Sequence, residues 1–167
     1  MQRGLELDAA WSQRLRVAER PGLLRTLAAI LAHSGDSWFW AAGLVVLIFV
    51  APAWRYLALA MLAGILVTAS MVFPIKLLVR RRRPEGEWGS IYRSTDPHSF
   101  PSGHAARAVM LTVVALVLGP AWLGIVMLVW APLVSLARVA MGVHYLSDVV
   151  AGMFLGLLIG LAVAIIL

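Results

Sequence analysis

The sequence has 167 residues, a formal net charge of +6, 62% hydrophobic residues and only 13% charged ones. A soluble domain of this length cannot hide so much apolar surface, because small domains leave a large share of their surface in water. Long apolar runs with few charges point instead to a bilayer. The chain has no cysteine, which excludes disulfides, thiolate chemistry and cysteine-based zinc sites.

The length allows one domain, 1–167. The first residues carry acids and little apolar length, not the basic, apolar and small order of a signal peptide, so insertion is expected to rely on the helices themselves. Residues 1–35 read as an interfacial segment. Within it, 5–20 mix Leu, Trp and Val with Arg, Glu and Asp at roughly helical spacing, with Trp11 as a headgroup-level anchor. Pro21-Gly22 ends that helix, and 23–33 form an apolar stretch too short to span alone. His33-Ser34-Gly35-Asp36-Ser37 reads as a turn followed by a helix cap.

Five spanning helices are expected after it: about Trp38–Val50, which is short unless residues at its ends extend it, then Tyr56–Leu78, Ser102–Leu118, Ala121–Ala140 and Ser147–Leu167. The fold class is therefore an all-α polytopic membrane bundle with an amphipathic N-terminal part. Residues 80–100 form the one long polar connection, rich in Gly, Pro, Ser and charge. The sequence stops among apolar residues, which reads as a C-terminus cut short. Gly152, Gly156 and Gly160 make a small-residue stripe that permits close helix packing, within the chain in preference to a dimer face. The oligomeric state stays open.

Ionisable groups at membrane depth are functional candidates by default. With helices alternating in direction, Lys76, Arg83, Ser102, His104, Arg138, His144 and Asp148 converge on one membrane surface. If the second spanning helix continues, Lys76 and Arg83, seven apart, share a face about two turns apart. Phe100-Pro101-Ser102-Gly103-His104 opens a helix, with proline suited to a first turn. Free N–H groups at such an end, with the Ser hydroxyl, suit an anion. His144 and Asp148 are four apart, a spacing that on one helical face lets a carboxylate orient an imidazole. Cations, a helix N-terminus, two histidines and a carboxylate describe a phosphate cradle with a nucleophile and an acid. Because the bases cluster beside membrane segments, anionic lipid is the expected partner and nucleic acid is not.

Three strings carry a family resemblance: Lys76-Leu-Leu-Val-Arg-Arg-Arg-Arg83-Pro84, then Pro101-Ser102-Gly103-His104, then Arg138-Val-Ala-Met-Gly-Val-His144-Tyr-Leu-Ser-Asp148. In order and spacing they resemble the signature motifs of the type 2 phosphatidic acid phosphatases, a superfamily that also holds vanadium haloperoxidases and glucose-6-phosphatase. The match spans 76–148. The resemblance implies that Lys76, Arg83 and Arg138 bind phosphate oxygens, helped by Ser102 and the Gly103 amide. It implies that His144 attacks phosphorus, that Asp148 holds its reactive tautomer, and that His104 protonates the leaving oxygen and then activates water. No metal or other cofactor is implied. The family usually has serine before the third-motif arginine, and Ala137 stands there, which is expected to remove one hydrogen bond to phosphate or its frame.

Other residues carry blander readings. Arg80, Arg81 and Arg82 read as snorkelling bases, and Arg107 either lines the site or snorkels. Asp96 and His98 read as a solvated loop in preference to a lid. Trp88 and Tyr92 read as interfacial anchors, and His33, with no visible partner, as structural.

Arginines gather on the active-site face, with Arg55 alone opposite, so the positive-inside bias puts the site and the N-terminus in the cytoplasm. The resemblance is to small bacterial members in the inner membrane acting on polyprenyl-linked phosphates, such as decaprenylphosphoryl-phosphoribose. An outward site would favour undecaprenyl pyrophosphate, or phosphatidate and phosphatidylglycerophosphate. Lateral entry of the lipid between helices is expected. A vanadate-dependent peroxidase and a non-enzymatic lipid-binding protein are the competing classes, the latter disfavoured because both His104 and His144 are present.

Overall fold

The computed structural model describes residues 2–93 and 96–167. Among the described residues every regular element is helical, apart from one isolated bridge between Arg82 and His98. In chain order the helices are α1 (Gln2–Leu15), α2 (Leu23–Ser34), α3 (Ser37–Val50), α4 (Arg55–Val79), α5 (Glu87–Arg93), α6 (Gly103–Leu118), α7 (Ala121–Ala140) and α8 (Leu146–Ile166). A 3-10 turn, Pro52–Trp54, leads into α4.

Among the described residues, three helical stretches are long and apolar enough to cross a bilayer: Pro52–Val79, Ala121–Ala140 and Leu146–Ile166. The first expected span is extended at its N-terminal end. Residues 38–50 alone are too short, and the structure joins α2 to α3 across a 52° bend, the pair together being long and apolar enough for a broken span or a re-entrant loop. The 16-residue α6 is apolar but shorter than the ~20 residues that cover a hydrocarbon core. Its sides are covered by protein: it packs on α4, α7 and α8. Large side chains such as Phe49, Leu66 and Ile165 stay exposed on the outside of the bundle, the pattern of a lipid-facing surface.

Helix α6 can be central because its neighbours approach closely. A Cβ at Gly152 would collide with the Ser102 carbonyl and one at Gly156 with the Ala106 carbonyl, while one at Gly160 would meet Val113 at 2.7 Å. The glycine stripe of α8 is therefore a contact within the chain, where backbone approach supplies the dispersion contacts that lipid cannot. Met61, Met110, Leu111 and Val114 fill the core at the far end of the bundle.

Helix α4 ends before the arginine run. Arg80 adopts φ 50°, a left-handed cap that turns the chain back, so Arg83 reaches Lys76 through a returning loop and not along a continued helix. Helix α6 starts at Gly103 with Ser102 as N-cap, and Pro101, joined to Phe100 by a cis peptide bond, lies just outside it. The amphipathic α1 docks on α7 and α8.

Candidate active site

The end of α4, the returning loop, the start of α6, the end of α7 and the α7–α8 connection meet around one cavity of about 750 Å³. Lys76, Arg83, Gly103, His104, Arg138 and His144 all line it, so most of the residues expected from the sequence converge. Its other wall is apolar, with Val72, Phe73 and Leu77 of α4 and Trp38 of α3. Phe73 and Leu77 are also exposed on the outer surface of the bundle.

The cations are held by specific partners. Arg83 donates from Nη1 to the Val143 carbonyl and to Nε2 of His144, each at 3.1 Å, and from Nη2 to Asp96 Oδ2 at 2.8 Å. Lys76 donates to Asp96 Oδ2 and, at 3.1 Å, to the His98 carbonyl. Arg138 is fully buried, lies 4.7 Å from the centre of the Tyr92 ring and donates to the Tyr92 hydroxyl at 3.2 Å. Its Nε has no acceptor among the described residues, an unusual condition for a buried guanidinium and one suited to binding an anion. Asp96 and His98, read from sequence as a solvated loop, in fact line the cavity, and Asp96 bridges two of its cations.

His144 is 1% exposed. Because Arg83 donates to Nε2, the neutral ring carries its proton on Nδ1, leaving the Nε2 lone pair on the cavity side. Burial, then the charges of Arg83, Arg138 and Lys76, push its pKa well below the ordinary histidine value. Nδ1 lies 3.7 Å from Asp148 Oδ2, an ion-pair distance and too long for a hydrogen bond.

The spacing of four places that pair differently from one helical face. His144 precedes α8, whose N-cap Tyr145 is extended, and Asp148 turns back to accept from the Tyr145 amide at 2.9 Å. The other Asp148 oxygen accepts from Arg81 Nη1 at 2.7 Å. Arg81 also donates to Asp8 of α1 at 2.7 Å, and the Asp8 carboxylate accepts from the Ser147 amide at 3.0 Å. Thus Arg81, read as a snorkelling base, holds the carboxylate behind His144.

Ser102 is fully buried and does not line the cavity; its amide donates to the Asp148 carbonyl at 2.9 Å and its hydroxyl faces the Ala105 amide at 3.5 Å. Ala137 lies in an apolar cluster with Ala28 and Ala32 of α2 and also stands off the cavity. Arg107 lines the site and donates from Nε to the Gly35 carbonyl at 2.9 Å. His104 Nε2 lies 2.7 Å from Asp36 Oδ1, and Asp36 Oδ2 lies 3.1 Å from His33 Nδ1. Asp36 is legible in sequence only as a helix cap, yet its side chain makes no capping bond. His33 does have a partner.

The PAP2 superfamily model matches residues 52–167, more than half of the chain. This chain belongs to the PAP2 superfamily. It is 36% identical over 146 residues to the decaprenylphosphoryl-5-phosphoribose phosphatase of Mycobacterium tuberculosis (strain CDC 1551 / Oshkosh), covering 86% of this chain and 80% of that protein. An undecaprenyl-diphosphatase from Sulfolobus acidocaldarius is 28% identical over 137 residues, 80% of this chain and 66% of that one. Among solved structures, a PAP2 type phosphatidylglycerolphosphate phosphatase from Bacillus subtilis matches with a TM-score of 0.78 and 27% identity over 98% of this chain and 85% of its own. Aquifex aeolicus LpxE shares the fold, with a TM-score of 0.72 at 21% identity over 90% of this chain and 92% of that one.

The expected family and the all-helical membrane architecture are borne out. Membership also gives the coarse activity: the PAP2 chain is a phosphatase of lipid phosphates in a membrane.

Proposed function

We propose that this PAP2 phosphatase hydrolyses the terminal phosphomonoester of a polyprenyl-phosphoryl sugar phosphate, of the decaprenylphosphoryl-5-phosphoribose class, through a phosphohistidine on His144. The observation that carries the reading is one cavity holding Lys76, Arg83, Arg138, His104 and His144 on one side and the apolar wall of α4 on the other. The mycobacterial relative supports the substrate class.

In this mechanism the cations bind the equatorial oxygens, whose charge they stabilise through the transition state. Arg83 Nη1 exchanges Nε2 of His144 for a phosphate oxygen, so that the Nε2 lone pair can attack phosphorus, and the proton on Nδ1 faces Asp148, which Arg81 and the Tyr145 amide hold in place. His104 gives a proton to the leaving oxygen and afterwards takes one from the water that hydrolyses the phosphoenzyme. The first amide of α6, at Gly103, adds a donor at the positive end of the helix; Ser102 serves by holding that end against Asp148. Fixed positive charge supplies the stabilisation that metal ions give other phosphoryl-transfer enzymes, so the reaction is metal-independent. The lipid tail stays in the bilayer and the headgroup enters past Phe73 and Leu77.

By the distribution of arginine, the site faces the cytoplasm of a bacterial inner membrane. Undecaprenyl pyrophosphate and phosphatidylglycerophosphate are the second reading, favoured by the relatives from Sulfolobus and Bacillus.

The test is phosphate release in detergent with EDTA present, across these lipids, for wild type and His144→Ala. Release from the sugar phosphate that survives EDTA, is blocked by vanadate and disappears in the variant supports the proposal. Loss on EDTA addition overturns the metal-free account, and normal turnover by His144→Ala overturns the phosphohistidine.

A further inference from the structure

The break between α2 and α3 is anchored from three helices. The Gly35 carbonyl accepts from Arg107 Nε at 2.9 Å. The Ser34 carbonyl accepts from Trp40 Nε1 at 2.8 Å, and the Ser34 hydroxyl accepts from Trp130 Nε1 at 2.9 Å. A Cβ at Gly35 would meet Val134 of α7 at 2.9 Å and the His104 ring at 3.5 Å. Donated bonds and tight packing from α3, α6 and α7 thus fix a segment that a straight span would not contain. What the segment presents to the cavity is Asp36. Its carboxylate is not used to cap α3; one oxygen lies 2.7 Å from Nε2 of His104 and the other 3.1 Å from Nδ1 of His33.

We propose that Asp36 is the positioning residue of the acid–base histidine, so that the site holds two imidazole–carboxylate pairs: His144 with Asp148, and His104 with Asp36. The inference rests on the phosphohistidine reading above. Asp36 accepts the Nε2–H of His104, which fixes the ring and its tautomer and leaves Nδ1 as the nitrogen available to substrate. In the first half-reaction the His144 Nε2–P bond forms as the P–O bond to the leaving group breaks. The Nδ1 proton of the His104 imidazolium passes to the departing oxygen, and the carboxylate stabilises the cation until then. In the second half-reaction Nδ1 takes a proton from water, the water oxygen bonds to phosphorus, and the N–P electron pair returns to His144. One proton leaves His104 and one returns, and the sum is ester plus water giving alcohol plus phosphate.

A positioning role for the acid makes the rate depend on the leaving group. An alkyl lipid phosphate leaves as a strongly basic alkoxide unless protonated, whereas 4-nitrophenyl phosphate leaves without help. The experiment compares purified wild type, His144→Ala, Asp36→Asn and Asp36→Glu on a polyprenyl-phosphoryl sugar phosphate, the alkyl ester, and on 4-nitrophenyl phosphate, following kcat, KM and alkali-stable phosphoenzyme. In Asp36→Asn, kcat on the alkyl ester is expected to fall by about tenfold or more, since positioned acid–base groups contribute about 10²–10⁴, with KM within about twofold. On the aryl ester the formation of phosphoenzyme persists while its hydrolysis slows, so the intermediate accumulates. Asp36→Glu recovers part of the alkyl rate. If Asp36→Asn does not fold, as judged by vanadate binding, Asp36→Ser gives the same alkyl-to-aryl ratio.

Equal losses on both esters with no accumulating intermediate, or rates like wild type, overturn the role of Asp36 while His144→Ala remains inactive. A wild type that releases phosphate from neither ester overturns the phosphatase reading and this proposal with it.

Discussion

Nη1 of Arg83 lies 3.1 Å from Nε2 of His144, and that contact fixes which nitrogen of the histidine keeps a lone pair toward the cavity. The same guanidinium, burial, Arg138 and Lys76 all oppose a positive charge on the ring. His144 is therefore neutral and nucleophilic through the range where an ordinary histidine, near ~6.5, would become protonated. The acid limb of the kcat profile assigned to this group should lie well below that range. Linkage gives a second readout. As pH falls below ~6.5 the unfolded chain takes up a proton that folded His144 refuses, so stability present above that pH is lost on acidification. His144→Gln should flatten the fall in melting temperature across that interval; an unchanged slope would show that His144 is not the group responsible.

Asp96 sits where a phosphate oxygen would be welcome. Burial would raise its pKa, but the bonds from Lys76 and the charge of Arg83 outweigh it and hold the carboxyl below its ordinary value, so it is ionised at neutral pH. A fixed anion between Lys76 and Arg83 competes with substrate for them. Asp96→Asn is expected to lower KM, and the inhibition constant of inorganic phosphate, by roughly threefold to tenfold, tenfold being about 1.4 kcal/mol. The melting temperature should drop because two buried cations lose their partner. A KM that rises would mean that Asp96 helps to bind substrate.

Ala137 occupies the place of a usual family serine, and the loss of a phosphate contact is the natural expectation from sequence. The structure sets the side chain among Ala28, Ala32 and Ala140, away from the cavity. Restoring the hydroxyl with Ala137→Ser should leave kcat within about twofold and cost stability, up to about 1–3 kcal/mol if the hydroxyl finds no acceptor. Thermal unfolding in detergent beside the steady-state rate separates the two, and a large gain in kcat would contradict the placement.

Gly156 meets the Ala106 backbone so closely that any side chain must part α6 from α8. Gly156→Val should destabilise by about 1–3 kcal/mol or more. It should also impair turnover in whatever folded fraction survives, since α6 carries His104 and α8 carries Asp148. Gly43, where a side chain would meet open space, is the control: Gly43→Ala should unfold like wild type.

Most of the proposed site is legible in the sequence because membrane depth makes charge rare, so Lys76, Arg138 and the histidines stand out against apolar helices, and alternating helices carry them to one end. The roles of Asp36, Arg81 and Asp96 are not legible there. Each lies in a turn or a returning loop, where no periodicity tells which way a side chain faces. Their partners are 68, 67 and 20 residues away in the chain. The α2–α3 pair misleads for a related reason: hydropathy sees the turn at 33–37 as an end, whereas Arg107, Trp40 and Trp130 satisfy its backbone and hydroxyl groups and hold the two helices together across a bend. The spacing of His144 and Asp148 suggests a helical pair, but the extended Tyr145 between them makes it a pair across a helix entrance.

The proposed phosphate cradle draws Lys76 from one helix, Arg83 from a loop and Arg138 from another helix, so no contiguous stretch of the chain assembles it by itself. An oxyanion bound there acts as a staple between parts of the molecule that otherwise repel one another. Ligand concentration then becomes a setting for the thermal lifetime of the protein, because whatever binds only the assembled cradle withdraws molecules from the unfolding equilibrium.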